Sequence, residues 1–188
     1  MALSAMDCVL NGEQAVYCSN ELTSGFTLYE ALRRHGLKTE KELRERLGDA
    51  WYRENIFNRN AKAAAEFAAV VRANYSDGTV VITPGPFFAP RWIQPEYLYL
   101  WQQLLRTRIR SVWFNRNWEY SNGCTFEFAV ALDSGVPTFK HDGQALDPVE
   151  GIGAVEAAVR QLESEGFSTA RLRENLELLH PVTPEGQP

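Results

Sequence analysis

The stretch WEYSNGCTFEFAVALDSGVPTF, Trp118 to Phe139, holds a lone glutamate, Glu127, among apolar residues. Ser121-Asn122-Gly123 opens a helix there, and Gly135-Val136-Pro137 closes it into a strand. Backbone N–H groups near Asn122, Gly123 and Cys124 lack intrahelical acceptors and are ready for an anion. Gly123 lets a ligand come close to the backbone. Glu127 is expected in the first turn, where the helix dipole favours its ionised form. An ionised glutamate, sheltered from water and facing a crevice, suits nucleophilic attack on a sugar carbon. The same spacing also fits plainer roles, dipole complementation by Glu127 and N-capping by Ser121 or Asn122.

The surrounding elements must bring that glutamate to a crevice. AVYCSN (Ala15 to Asn20) reads as a first strand, and TVVITPG (Thr79 to Gly85) as a second. SVWFNR (Ser111 to Arg116) reads as a third and VPTFK (Val136 to Lys140) as a fourth. Between the first two lies a charged segment from Glu21 to Asn58, predicted as two or three short surface helices, with capping-box spacing at Thr39 and Glu42. AKAAAEFAAVVRANY (Ala61 to Tyr75) follows as a helix of strong helix formers. PEYLYLWQQLLRTRI shows apolar residues at helical spacing, Tyr97, Leu98, Trp101, Leu104, Leu105 and Ile109. GIGAVEAAVRQLESEG and STARLRENLELL read as the last two helices, and the residues from 181 to 188 as a loose tail.

Strands alternating with helices predict a single α/β domain over 1–188. The expected form is a flavodoxin-like, Rossmann-like three-layer sandwich with a four- to five-stranded, mainly parallel sheet. Ligands in such folds bind beyond the carboxyl ends of the strands, where strand order switches. That rule points to Ser19 and Asn20 after the first strand. After the third it points to Asn115, Arg116 and the segment from Trp118 to Glu127.

Bulk properties narrow the partners. A formal charge of −5 gives no basic field for a nucleic-acid polymer. No apolar run reaches the roughly 20 residues that span a bilayer. Cys8, Cys18 and Cys124 form an odd set without CxxC spacing, and His35, His141 and His180 have no zinc-ligand spacing. A reducing, cytoplasmic setting is expected, with neither metal nor cofactor.

Ser121-x-Gly123-x-x-x-Glu127, followed by a Gly-x-Pro strand, resembles the nucleoside 2-deoxyribosyltransferase-like superfamily. That superfamily includes nucleoside deoxyribosyltransferases and nucleotide N-glycoside hydrolases. The first strand agrees, since Val16-Tyr17 stands where the family has an Ile-Tyr pair. The resemblance covers roughly Ala15 to Phe139, with 21–58 as an enlarged insertion. It implies that Glu127 is the nucleophile and that Tyr17 positions its carboxylate. It also implies that Ser121, aspartate in enzymes acting on free nucleosides, favours a nucleoside 5′-monophosphate, because a neutral hydroxyl does not repel a phosphate. The family's aspartate that helps the base leave falls on Ser111, which has no proton of useful pKa to give. Glu21, Glu119 and Asp142 are the carboxylates that could replace it.

Phe87, Phe88, Trp92, Trp118 and Tyr120 offer planar faces for a base, or simple packing. Arg59, Arg91 and Arg116 offer forks for a phosphate. The expected substrate site gathers Ser19, Asn20, Asn115, Arg116, Trp118, Ser121, Asn122 and Gly123 around Glu127 and Tyr17. Two functions follow, N-glycosidic cleavage or exchange on a nucleotide or nucleoside, and a nucleotide-binding sensor without turnover. An FMN electron carrier fits less well, because SNELTSG feeds a charged insertion rather than a phosphate loop. The resemblance implies a homodimer or larger homo-oligomer. The insertion is expected to overhang the first strand and shape substrate entry.

Overall fold

The computed structural model describes residue 8 and residues 10–75, 78–85 and 91–179. Its sheet has four strands, β1 (Ala15–Ser19), β2 (Val81–Ile82), β3 (Ile109–Phe114) and β4 (Thr138–Lys140). All pair in parallel, in the order β2-β1-β3-β4. The two central strands read as near-continuous apolar runs because helices cover both of their faces. One face is packed by α4 (Arg59–Ala73), whose Phe67, Ala68 and Val71 meet Val16, Cys18 and Trp113. The other holds Ala15, Tyr17, Val112 and Phe114, under α5 (Gln94–Arg108) and α6 (Asn122–Asp133). This is the three-layer α/β arrangement predicted from the alternation of elements.

The strand boundaries differ from the sequence expectation, slightly in β1 and β4 and more in β2 and β3. β2 is only two residues long, although Val16 also donates its N–H to Val80. β3 starts at Ile109 rather than Ser111 and stops at Phe114. Opposite the Ala15–Val16 step its register slips by one residue, leaving Arg110 as the extra, exposed one. Strand alternation therefore puts Ser111 and Trp113 on the α4 side, and Val112 and Phe114 on the α6 side.

The insertion is not surface decoration. It comprises α1 (Phe26–His35), α2 (Glu40–Leu47) and α3 (Asp49–Tyr52), and a π-helical segment (Arg53–Asn58) then carries α3 directly into α4. The capping box at Thr39 forms in both directions. α1 buries Leu28, Tyr29 and Leu32, and Tyr29 stacks at 5.2 Å on Phe167 from the far end of the chain. The charged spacing of this segment hid that apolar stripe. α5 buries Leu100, Trp101, Leu104 and Leu105, so its main role is in the core, while Tyr99 stays exposed.

The chain closes with α7 (Pro148–Ser164) and α8 (Ala170–Leu179). The tail expected at 181–188 lies outside the described residues. Gly151 lets α7 sit against Phe128 of α6, because a Cβ there would lie 2.2 Å from the ring. Gly151→Ala is therefore expected to cost about 1–3 kcal/mol by overpacking, read as a lower denaturation midpoint with an unchanged slope. Among the described residues, no helix is long and apolar enough to cross a membrane.

Candidate functional site

The strand order reverses between β1 and β3, so the crevice beyond their carboxyl ends is where such a sheet takes a ligand. Tyr17 and Ser19 stand two residues apart on β1 and face the same side of the sheet. Glu127 reaches both from α6. The Tyr17 hydroxyl donates to Glu127 Oε1 at 2.7 Å, and the Ser19 hydroxyl donates to Oε2 at 2.6 Å. Both carboxylate oxygens are thus held, one from each side, although 110 and 108 residues separate the partners. Tyr17 is itself fixed by burial and by Trp101, whose ring lies 5.9 Å away.

Glu127 is only 5% exposed. Burial pushes its pKa up to about 7, and the Ser19 and Tyr17 hydroxyls pull back against that rise by favouring the charged form. The expected source of ionisation was the helix dipole, and here the structure corrects the sequence. With Ser121 as N-cap and Asn122 as the first helical residue, Glu127 falls in the second turn, beyond the dipole's main reach. Two hydroxyl donors from β1 take over the role given to the helix end.

The helix opening is also more occupied than expected. Ser121 Oγ accepts from Cys124 N–H at 3.5 Å, and Ser24 Oγ accepts from Asn122 N–H at 3.2 Å. Of the three residues expected to offer free N–H groups, only Gly123 has no side-chain acceptor among the described residues. A Cβ on Gly123 would meet nothing closer than Ser121 Oγ at 3.9 Å, so the chain's own packing does not demand a glycine there. No acidic residue stands in this first turn.

Asn20 and Asn115 form a clamp across the strand ends. Asn115 Nδ2 donates to Asn20 Oδ1 at 3.0 Å, and Asn20 Nδ2 donates to the Cys18 carbonyl at 2.8 Å and to Thr83 Oγ1 at 3.3 Å. Asn115 Oδ1 accepts the Arg116 N–H at 2.8 Å. These contacts tie together the ends of β1, β2 and β3.

Several expected roles change. Ser19, expected on the substrate, is engaged with the Glu127 carboxylate. Ser121 is buried and is spent on capping α6. Trp118, expected as a stacking platform, is buried between Phe114 and Phe128, each at 4.7 Å, because the turn after β3 folds its ring back into the core. Tyr120 meets Phe26 edge-on at 5.3 Å and donates its hydroxyl to Gln161. Trp92 packs against Tyr97 at 5.3 Å, and Phe87 and Phe88 lie outside the described residues. Arg59, Arg91 and Arg116 are exposed. Ser111 faces α4, where its hydroxyl lies 3.3 Å from that of Tyr75, so no residue at this position would reach Glu127.

Two contributors escaped the sequence reading. Ser24 caps α6 from 98 residues away. Asn175 of α8 donates to the Asn122 carbonyl at 2.9 Å and to Thr125 Oγ1 at 2.7 Å, pinning the first turn of α6. An asparagine on the apolar face formed by Leu172, Leu176 and Leu179 was the available signal for the second.

Searches of protein-family models, of curated proteins and of solved structures found no match to this chain.

Proposed function

We propose that this protein cleaves the N-glycosidic bond of a nucleoside 5′-monophosphate or related nucleotide, with Glu127 as nucleophile. The observation that carries the reading is the Tyr17–Glu127–Ser19 cluster, a buried carboxylate gripped through both oxygens at the switch point of the sheet. In the first step a Glu127 oxygen bonds to the anomeric carbon, and the carbon–nitrogen bond breaks with its electron pair leaving on the base. Water then attacks the same carbon, the ester bond breaks, and the carboxylate is restored. A second base in place of water would give exchange rather than hydrolysis.

The α6 opening supports a phosphate at the far end of the substrate. It presents the Gly123 N–H, which has no side-chain acceptor among the described residues, at the positive end of a helix dipole with no acidic residue in the helix's own first turn. The resemblance to the deoxyribosyltransferase-like superfamily belongs to the same reading, as do a cytoplasmic setting and a homodimer or larger homo-oligomer.

The test is incubation of the protein with a panel of nucleoside 5′-monophosphates and the matching nucleosides, with free base followed by chromatography. Base is expected from the monophosphates in preference to the nucleosides. If no base appears while a nucleotide raises the melting temperature, the protein is a nucleotide sensor and the enzymatic reading is wrong.

Tyr17→Phe separates positioning from mere packing. Its loss removes a hydrogen bond that favours the ionised carboxylate, so the acid limb of the pH–rate profile is expected to move to higher pH. Stability is expected to fall by about 1–3 kcal/mol, because Oε1 loses its buried donor. An unmoved acid limb would show that Tyr17 does not set the charge of Glu127.

A further inference from the structure

We propose that Glu21 is the acid that protonates the departing base. The proposal rests on the N-glycosidase reading above. Cleavage through one ionised carboxylate calls for a second, protonated one, unless the base leaves as an anion. Ser111 cannot provide it, and the other two sequence candidates sit poorly. Asp142 is exposed in the turn after β4, where it accepts the Gln144 N–H. Glu119 is half-buried, and burial raises its pKa, but no side-chain partner holds it.

Glu21 is built in. It follows β1 directly, one residue beyond Asn20 of the strand-end clamp. Its Oε1 accepts from the Thr27 hydroxyl at 2.5 Å and from the Thr27 N–H at 3.3 Å. Its Oε2 is buried with no hydrogen-bond partner among the described residues. A buried, unpartnered carboxylate oxygen is costly when charged and becomes a donor when protonated. Burial pushes the Glu21 pKa up, against the pull of Thr27, of the Phe26 N–H and of nearby Arg59.

The loop that carries Glu21 also meets the helix that carries the nucleophile. Burial raises the Cys124 pKa first, and the charges of Glu127 and, more weakly, Glu21 raise it further, so both carboxylates lie within electrostatic reach of that thiol. Ser24, three residues after Glu21, caps Asn122 and so lays the 21–25 loop across the opening of α6.

The loop is held from several sides. Gly25 adopts φ 125° and ψ −165°, a conformation essentially reserved for glycine. A Cβ at that position would stand 2.1 Å from Glu21 Oε2. Tyr52 donates its hydroxyl to the Thr23 carbonyl at 2.7 Å, and Asn60 Nδ2 donates to the Leu22 carbonyl at 3.0 Å. Eight α-helical steps would set Tyr52 and Asn60 about 80° apart around the axis. The π-helical segment between them winds more slowly and brings both to the loop. The insertion thus acts as the mount for Glu21.

In the first step the Glu21 carboxyl proton passes to a ring nitrogen of the base as the glycosidic bond breaks. In the second, the Glu21 carboxylate takes a proton from the attacking water, and both carboxyl groups return to their starting states. The competing role is a structural one, since Glu21 caps α1 where Gly25 offers no side chain.

Two substrates separate these roles, a nucleoside 5′-monophosphate and a 4-nitrophenyl riboside 5-phosphate (with its 2-deoxy counterpart), whose nitrophenolate leaves without a proton. Glu21→Gln keeps an oxygen to cap α1. It is expected to lose about 10²–10⁴-fold in kcat on the nucleotide while nearly keeping the wild-type rate on the nitrophenyl substrate. Equal losses on both substrates would make Glu21 a cap only and overturn the proposal. An unchanged rate on the nucleotide would overturn it as well. A wild-type protein inert on both substrates would remove the glycosidase reading itself, and the acid with it.

Discussion

Glu127→Gln is expected to release base from a nucleotide about a thousandfold more slowly than wild type, or more slowly still. Glutamine matches glutamate in shape, and its amide can still accept from the Tyr17 hydroxyl. The Ser19 hydroxyl can rotate to accept from the amide nitrogen, so the cluster survives without its charge. What disappears is the oxygen anion that the proposed glycosyl ester requires. The cysteine beside it, Cys124, is held protonated by burial and by the carboxylates around it. A single-turnover experiment sharpens the result, because wild type should trap a sugar on Glu127 that mass spectrometry detects after acid quench. Full activity in Glu127→Gln would end the nucleophile assignment. The pH profile carries the same message. With a pKa of about 7, the ionised fraction, and with it the rate, rises as pH increases through neutrality.

The same substitution is expected to make the protein more stable at alkaline pH. Unfolding returns Glu127 to its ordinary value of 4.5, whereas the folded state holds it near 7. Between these values the folded state binds the extra proton, so wild-type stability falls as pH rises. Below about pH 4.5 the side chain is neutral in both states and wild type matches the variant. Above about pH 7 the difference reaches its plateau, on the order of 3 kcal/mol. For a chain of this size that is roughly 6–12 °C in Tm. Other groups titrate in both proteins, so the informative quantity is the difference in Tm between variant and wild type across pH 4 to 9. A constant gap would mean that Glu127 is not buried as a charge. The two results together describe a site in which the reactive form is the less stable one, a trade of stability for chemistry.

The order of elements and the candidate residues Tyr17, Ser19 and Glu127 were legible in the chain. Both depend on patterns a few residues long. Apolar runs such as AVYC and VWF mark buried strands, and the Ser-Asn-Gly turn marks a helix start. Boundaries were less legible. The register slip beside Arg110 comes from pairing with β1, and the π-helical segment that extends α4 backwards comes from the loop it holds. α1 read as a surface helix because its charges dominate, yet its apolar residues find Phe167 more than a hundred positions away.

By itself, then, the sequence determined an α/β chain with a glutamate near a strand-end crevice and a tyrosine on the first strand. Local propensity and side-chain periodicity suffice for that. Tertiary structure alone decided what those residues do. It seated Glu127 in the second turn, beyond the helix dipole, and gave it two hydroxyls from β1 instead. It turned Ser111 to the opposite face, drew Trp118 into the core, and capped the Asn122 N–H of α6 with Ser24. Each of these depends on which groups meet across about a hundred residues of chain, and the charge state of a buried carboxylate is set by those neighbours and by the water they exclude.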